Sequence, residues 1–265
     1  TILLWCLNKE SKEMEKTEIT YIPAEYKLFD EIIVNSIDQY IRIKESENTD
    51  LNAVKNIKIN TDKETGEISV YNDGEGIKVD IEPKEKKYIP ELIFGDLLTS
   101  SNYSKSEIKH VGGKNGYGAK LVNIFSKKFT IETVDAYNKK KFKMTFYDNK
   151  TRKDKPSVRT FSGKPYTKIT YTPDYDRFNS TGLTDDMEKL ILTRAYDIAA
   201  FTDSKVSIYY NDEKIDCKSF QKFIDLFLGD KKEYTRVYEK INERWEIAVA
   251  LSPSSSFEQI SFVNG

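Results

Sequence analysis

Lys109-His-Val-Gly-Gly-Lys-Asn-Gly-Tyr-Gly-Ala-Lys-Leu-Val-Asn-Ile-Phe-Ser126 is the stretch around which the rest of the chain is read. Four glycines fall within seven residues, Gly112, Gly113, Gly116 and Gly118, and an apolar run of Ala119, Leu121, Val122, Ile124 and Phe125 follows at once. The pattern predicts a glycine-rich loop feeding a helix N-terminus. Free backbone N–H groups and the positive end of the helix dipole converge there, which suits an anion. Glycine lets the backbone approach a phosphate and take a positive φ without strain. Lys114 and Lys120 add positive charge. Two familiar phosphate patterns do not fit. Ala119 separates Gly118 from Lys120 where a P-loop needs Gly-Lys, and Leu121 stands where a dinucleotide fingerprint needs glycine. A phosphate loop of another kind and a flexible turn both remain open at this point.

Composition narrows the field. A chain of 265 residues suits one large domain or one and a half. No run of about 18 apolar residues occurs, so no membrane partner is expected. The apolar opening from Ile2 to Leu7 is short, ends at Asn8, Lys9 and Glu10, and has no basic flank, which argues against a signal peptide. With 42 basic against 43 acidic residues, overall charge gives no argument for nucleic-acid binding, so any DNA contact must be local or lie elsewhere. Cys6 and Cys217 are the only cysteines, which suggests a reducing compartment. His110 is the only histidine, so a zinc site or a His-dependent triad is nearly excluded. A general base must then be a carboxylate or a lysine.

Thr1 to Leu7 and Ile19 to Ile22 read as strands, with the charged Lys9 to Glu18 as a hairpin or surface loop. From Glu25 to about Lys44, Leu28, Phe29, Ile32, Ile33, Ile37, Tyr40 and Ile41 recur at helical spacing. Glu31, Asn35 and Asp38 sit at i, i+4 and i+7 on one face, amid isoleucine and valine, which places them near the buried edge. The bland reading is a solvated stripe. The functional one is a carboxylate base beside an amide oxygen able to hold Mg²⁺, a cation satisfied by few protein ligands plus phosphate oxygens and waters. Val54 to Asn60 and Glu67 to Tyr71 read as a hairpin running into Asn72-Asp73-Gly74-Glu75-Gly76-Ile77. That segment is either a tight turn or a purine pocket in which a side-chain oxygen accepts from the adenine amino group. Val79 to Lys87 reads as a charged loop and Ile89 to Leu98 as a short helix. Thr99 to Ser104 offers hydroxyls and an amide for capping or for phosphate and ribose.

Beyond the glycine loop, Phe129 to Val134, Lys141 to Tyr147, Val158 to Phe161 and Lys168 to Tyr171 read as strands. Lys139, Lys140 and Lys141 fall at a hairpin turn and read as solvated charge, with DNA contact as the alternative. Leu183 to Phe201 and Ser219 to Leu228 read as helices, Val206 to Tyr210 as a strand. Tyr234 to Leu251 reads as two strands or one bent one, and Phe257 to Val263 as another. The shift toward strands places a domain boundary near residue 230, dividing 1–230 from 231–265.

Several of these pieces resemble one family. Phe29 to Asp38 resembles the asparagine-bearing box of the GHKL ATPases, and Tyr71 to Ile77 their adenine box. Leu97-Leu-Thr-Ser-Ser-Asn-Tyr103 and Gly112 to Lys120 resemble more narrowly the ATP lid of eukaryotic-type type II DNA topoisomerases, and Ile260 to Gly265 resembles the start of the transducer domain that follows there. The first two boxes alone would also admit other GHKL proteins of the chaperone or mismatch-repair type, or a nucleotide-binding module that does not hydrolyse. The resemblance implies a two-layer α/β sandwich, a mixed sheet with helices on one face, plus the start of a transducer.

The resemblance also implies roles for the matching positions. Glu31 would be the general base that activates water, and Asn35 would hold Mg²⁺. Asn72 would read adenine, while Ile77 and Phe94 would line the base pocket. Ser100, Ser101 and Asn102 would contact ribose and phosphate. Gly113, Lys114, Asn115, Gly116, Tyr117, Gly118, Ala119 and Lys120 would wrap the triphosphate, with Lys120 neutralising charge. Lys114 stands where the family usually has Arg, which keeps charge and loses a bidentate contact. Gln39 stands where Asn is usual and receives no ligand role. The expected partners are ATP, double-stranded DNA through the full-length enzyme, and a second copy of the chain on nucleotide binding. The expected location is the nucleus, or host cytoplasm or a viral factory for a viral protein. The lysine that reaches the γ-phosphate from the transducer, the DNA-cleaving tyrosine and the strap exchanged between subunits are expected outside this stretch.

Overall fold

In the computed structural model the helical repeat of apolar residues becomes the buried side of α1 (Pro23–Glu45), where Phe29, Ile32, Ile33 and Ile37 are closed to water. Pro23 opens the helix, where the missing N–H breaks no intrahelical bond. The structure describes residues 1–48, 50–96, 117–242 and 245–262. Around α1 the chain runs β1 (Ile2–Leu7), β2 (Met14–Ile19), then β3 (Asn56–Asp62), β4 (Glu67–Asn72), β5 (Ile81–Glu82), β6 (Lys87–Tyr88), α2 (Ile89–Gly95) and α3 (Gly118–Ile124). It continues through β7 (Ser126–Asp135), β8 (Lys140–Tyr147), β9 (Arg152–Lys153), β10 (Ser157–Thr160), β11 (Tyr166–Pro173), α4 (Asp185–Phe201), β12 (Ser207–Tyr210), β13 (Glu213–Lys214), α5 (Phe220–Leu228), β14 (Arg236–Asn242) and β15 (Trp245–Ala250).

The main sheet has the order β10-β8-β7-β11-β4-β3-β12-β13, with β9 paired to β8. Its one parallel pair among the described residues is β12 on β3, so the sheet is mixed. Alternation divides each strand. Ile57, Ile59, Ile68, Val70, Phe129, Ile131, Ile169 and Tyr171 join the apolar side of α1 and α4 in one core. Burying each such side chain stabilises by about 1.5–3 kcal/mol. α4 starts at Thr184, whose side chain accepts from the Met187 N–H at 3.2 Å, a cap of the kind that fixes a helix start.

Two local expectations are revised. The second strand lies at Met14–Ile19 instead of Ile19 to Ile22 and pairs antiparallel with β1, so of the hairpin and the surface loop expected for Lys9 to Glu18 it is the hairpin that forms. It buries only Met14 and Ile19, so its charged residues face water and its strand pattern is thin. Residues 257–262, expected as a strand, form none; Phe257 is 90% exposed and its backbone has no ladder to join among the described residues. Tyr234 to Leu251 resolves into the hairpin β14–β15. It is tied to α5 through Arg236, which donates to Gly229 O at 2.9 Å and also bonds Asp225. Cys6 and Cys217 are buried free thiols. Burial pushes both up, Cys217 to about 12.

Candidate functional site

α1 is the wall that two distant segments share. On one side stands α3, the helix that follows the glycine-rich stretch. A Cβ built on Gly118 would lie 1.7 Å from Glu31 Oε2, so the carboxylate of α1 rests directly on the first residue of α3, and a larger residue there would push it aside. Glu31 keeps 31% of its side chain exposed, and its Oε1 takes an ion pair from Lys27 at 2.9 Å. Lys27 also pairs with Asp30 at 3.0 Å. Burial pulls the Lys27 ammonium down, but the bonds from Glu31 and Asp30 outweigh it and hold it above its usual value.

The other segment is the end of β4. Asn72 is buried, its Nδ2 donates to Ser36 Oγ on α1 at 3.2 Å, and its Oδ1 has no partner among the described residues. A buried acceptor left alone costs about 1–3 kcal/mol, so this oxygen marks a place where a donor is missing. The turn after it is fixed by four anchors. Asp73 Oδ1 accepts from the Asn56 N–H at 2.7 Å, and Gln39 Nε2 donates to Glu75 O at 3.0 Å. The Ile77 N–H donates to Thr133 Oγ1 at 2.9 Å, and the Val79 N–H to Asp135 Oδ2 at 2.7 Å. Gly76 passes so close over β7 that a Cβ would sit 1.8 Å from Val134 O.

Glu31, Asn35 and Asp38 share a stripe but not an environment. Glu31 is half-buried, Asn35 exposed and Asp38 buried. The expectation that Asn35 lies at the buried edge is therefore corrected. The end of β4 and the turn after it bond to Ser36 and Gln39 of α1, while Asn35 next to Ser36 stays open to solvent. Lys120 is buried at 2% exposure; desolvation drives its ammonium below the usual value, with Asp96 opposing. Phe94 is packed in the core, its ring 5.9 Å from Phe129, while Ile77 is half-buried against that core. Tyr117 occupies the position before α3 with no side-chain capping bond, and Ala119 is half-buried in the first turn. Ser100, Ser101, Asn102, Gly113, Lys114, Asn115 and Gly116 lie outside the described residues.

Sequence reading passed over four side chains that build this site. Ser36 holds Asn72, Thr133 holds Ile77, Asp73 closes the β3–β4 ladder, and Asn123 joins α3 to α2 by donating to Phe94 O at 3.1 Å. Ser36 and Asn123 carried a signal, as polar residues inside apolar helical runs. Thr133 carried none, because its partner is 56 residues away.

No protein-family model matches the chain. A probable DNA topoisomerase 2 of Dictyostelium discoideum is 46% identical over 258 residues, covering 96% of this chain and 16% of the relative. DNA topoisomerase 2 of Acanthamoeba polyphaga mimivirus is 41% identical over all of this chain, which spans 21% of that protein. The crystal structure of the ATPase region of Saccharomyces cerevisiae topoisomerase II is 39% identical with a TM-score of 0.89, covering 99% of this chain and 67% of that one.

Proposed function

The chain belongs to the type II DNA topoisomerases, in their ATPase region, and from that premise we propose that it is the ATP-binding and ATP-hydrolysing gate of such an enzyme. Residues 1–230 are read as the ATPase domain and 231–265 as the beginning of a transducer. The observation that carries the reading is the meeting of Glu31, Gly118 and the unpaired Asn72 oxygen along one helix. That oxygen fits the amino group of adenine. The Glu31 carboxylate, partly open to solvent and next to the residue that ends the glycine-rich stretch, fits a base that takes a proton from water attacking the γ-phosphate. A positioned base is worth about 10²–10⁴ in rate. Lys27 orients that carboxylate through its ion pair.

Asn35, whose amide is exposed one turn after Glu31, would supply an oxygen to Mg²⁺, which when bound neutralises phosphate charge. Lys120, desolvated in α3, would add a positive charge beside the triphosphate, where low local dielectric strengthens its effect. In the whole enzyme, ATP binding favours a closed pair of these domains, hydrolysis reopens it, and the cycle drives DNA strand passage. Ligand that binds only the closed state stabilises it by about 2.7 kcal/mol at a hundredfold excess over Kd. The likeness to a Dictyostelium and a mimivirus protein supports a nuclear location, or host cytoplasm or a viral factory for a viral protein.

The test is Glu31→Ala in a chain extended through the transducer. ATP hydrolysis should fall by about 10²–10⁴ while affinity for a non-hydrolysable analogue changes less than about threefold. Hydrolysis unchanged by the substitution would remove Glu31 from this role.

A further inference from the structure

The side of the sheet away from the helices carries charge that the ATPase reading does not use. Strand register aligns Ser157, Lys143, Glu132 and Lys168 as direct cross-strand partners on β10, β8, β7 and β11. The neighbouring register pairs Arg159 with Lys141. Paired residues share a face, so Lys143, Lys168, Lys141 and Arg159 point the same way with a single carboxylate, Glu132, among them. Four strands at about 4.8 Å spacing make a patch about 14 Å wide. A cavity of about 380 Å³ opens there, lined by Glu132, Lys141, Lys143, Ser157 and Arg159. The chain as a whole carries a net charge of −1, so this concentration of cations is local.

Glu132 is already used within the patch. It pairs with Lys141 at 3.1 Å, lies 3.9 Å from Lys143, and accepts from the Tyr166 hydroxyl. Lys143, Arg159 and Ser157 are exposed. The aromatic rings beside them are covered: Lys141 lies 5.4 Å from the Tyr166 ring and 5.7 Å from that of Phe161, and Arg159 lies 5.9 Å from Phe161. Rings capped by cations do not offer the open platforms on which unpaired bases stack. Phosphate contact is the chemistry left, and charge density then decides the partner. A duplex carries one phosphate per about 1.7 Å of axis against about 3.4 Å for one of its strands.

We propose that this open face at β10, β8, β7 and β11 is a docking surface for the phosphate backbone of duplex DNA, separate from the nucleotide site. Three phosphate contacts, from Lys143, Lys168 and Arg159, give a slope of about −2.7 for log affinity against log salt. The 265-residue chain is titrated into a labelled duplex of about 20 base pairs, followed by fluorescence anisotropy between about 50 and 200 mM salt. The double variant Lys143→Ala, Lys168→Ala should lose about 1.8 of that slope. Lys12→Ala with Lys231→Ala, outside the patch, should keep it. Lys143→Arg with Lys168→Arg should also keep it, which separates lost charge from lost folding, and Glu132→Gln should tighten binding a few-fold. Binding of a non-hydrolysable ATP analogue, unchanged in every variant, reports the nucleotide site independently. The proposal is overturned if no duplex binds at low salt, or if patch and control variants lose slope equally. Single strands of equal length binding more tightly, or polyglutamate displacing duplex charge for charge, would overturn it as well.

Discussion

The covered and open faces of the central sheet are cut from the same strands, one residue turned inward and the next outward. Inward, Ile57, Ile59, Val70, Ile131 and Ile169 are closed under α1 and α4. Outward, the register that links Lys143, Glu132 and Lys168 runs on through Tyr71, Lys58 and Tyr209 to Lys214. There the stabilising contacts are cation on ring, with the Lys58 ammonium 5.9 Å from the Tyr71 ring and 5.4 Å from that of Tyr209. The inward side owes its energy to removing surface from water. The outward side keeps its groups in water and gains little per contact, which leaves it free to meet another charged surface.

Substitutions should separate the faces by size of effect. Phe29→Ala, under the covered face, empties a fully buried site and should cost about 3–5 kcal/mol in denaturant unfolding. The faces should also respond to pH with opposite signs. Asp197 on α4 is pushed up to about 6 by desolvation, with Arg194 opposing. The folded state therefore holds a proton that the unfolded chain releases near pH 4, and stability falls as pH rises through the window from about 4 to about 6. Asp197→Asn should remove that loss, stabilising by up to about 3 kcal/mol at pH 7.5 and by little at pH 4. On the open face, burial would raise Glu132, but Tyr166 and Lys141 outweigh it and hold it below its usual value. Its contribution is present above the unfolded pKa and is lost as pH falls through the folded one. A stability profile of Glu132→Gln that lacks the acid-side loss would sharpen the contrast.

Asn72→Ala, at the rim of the covered face, should weaken binding of an ATP analogue by about 5–150-fold, the worth of about 1–3 kcal/mol for a buried partner removed. Equal affinity for the variant in calorimetric titration would break the adenine assignment. The smallest effect is expected from Thr130→Ala on the open face. Its hydroxyl lies 3.1 Å from that of Thr145 across the ladder, and thermal melts should register less than about 1 kcal/mol.

The covered face was largely legible in the sequence. The apolar period of α1 and the alternation along β3, β4, β7 and β8 each declare one buried side locally, and the apolar run after the glycine-rich stretch declared the helix that becomes α3. What could not be read was register. Lys143, Glu132 and Lys168 become neighbours only once three strands are aligned, and nothing in the local pattern of any one strand names its partner. The same limit hid Thr133 under Ile77. β2 was placed too late in the chain because a strand with two buried residues looks like charged loop over most of its length. Asn35 was misjudged because spacing gives a residue's bearing on the helix but not how far the neighbouring turn reaches along it.

The two thiols, one on β1 and one just before α5, turn the molecule into its own stopwatch. Alkylation needs thiolate, and both sulfurs are sealed and held in their protonated form. A reagent added to the native protein therefore records openings of the surrounding structure, not chance collisions at its surface. Because the sulfurs sit in different elements, the order in which they are trapped tells whether β1 or the segment before α5 lets go first.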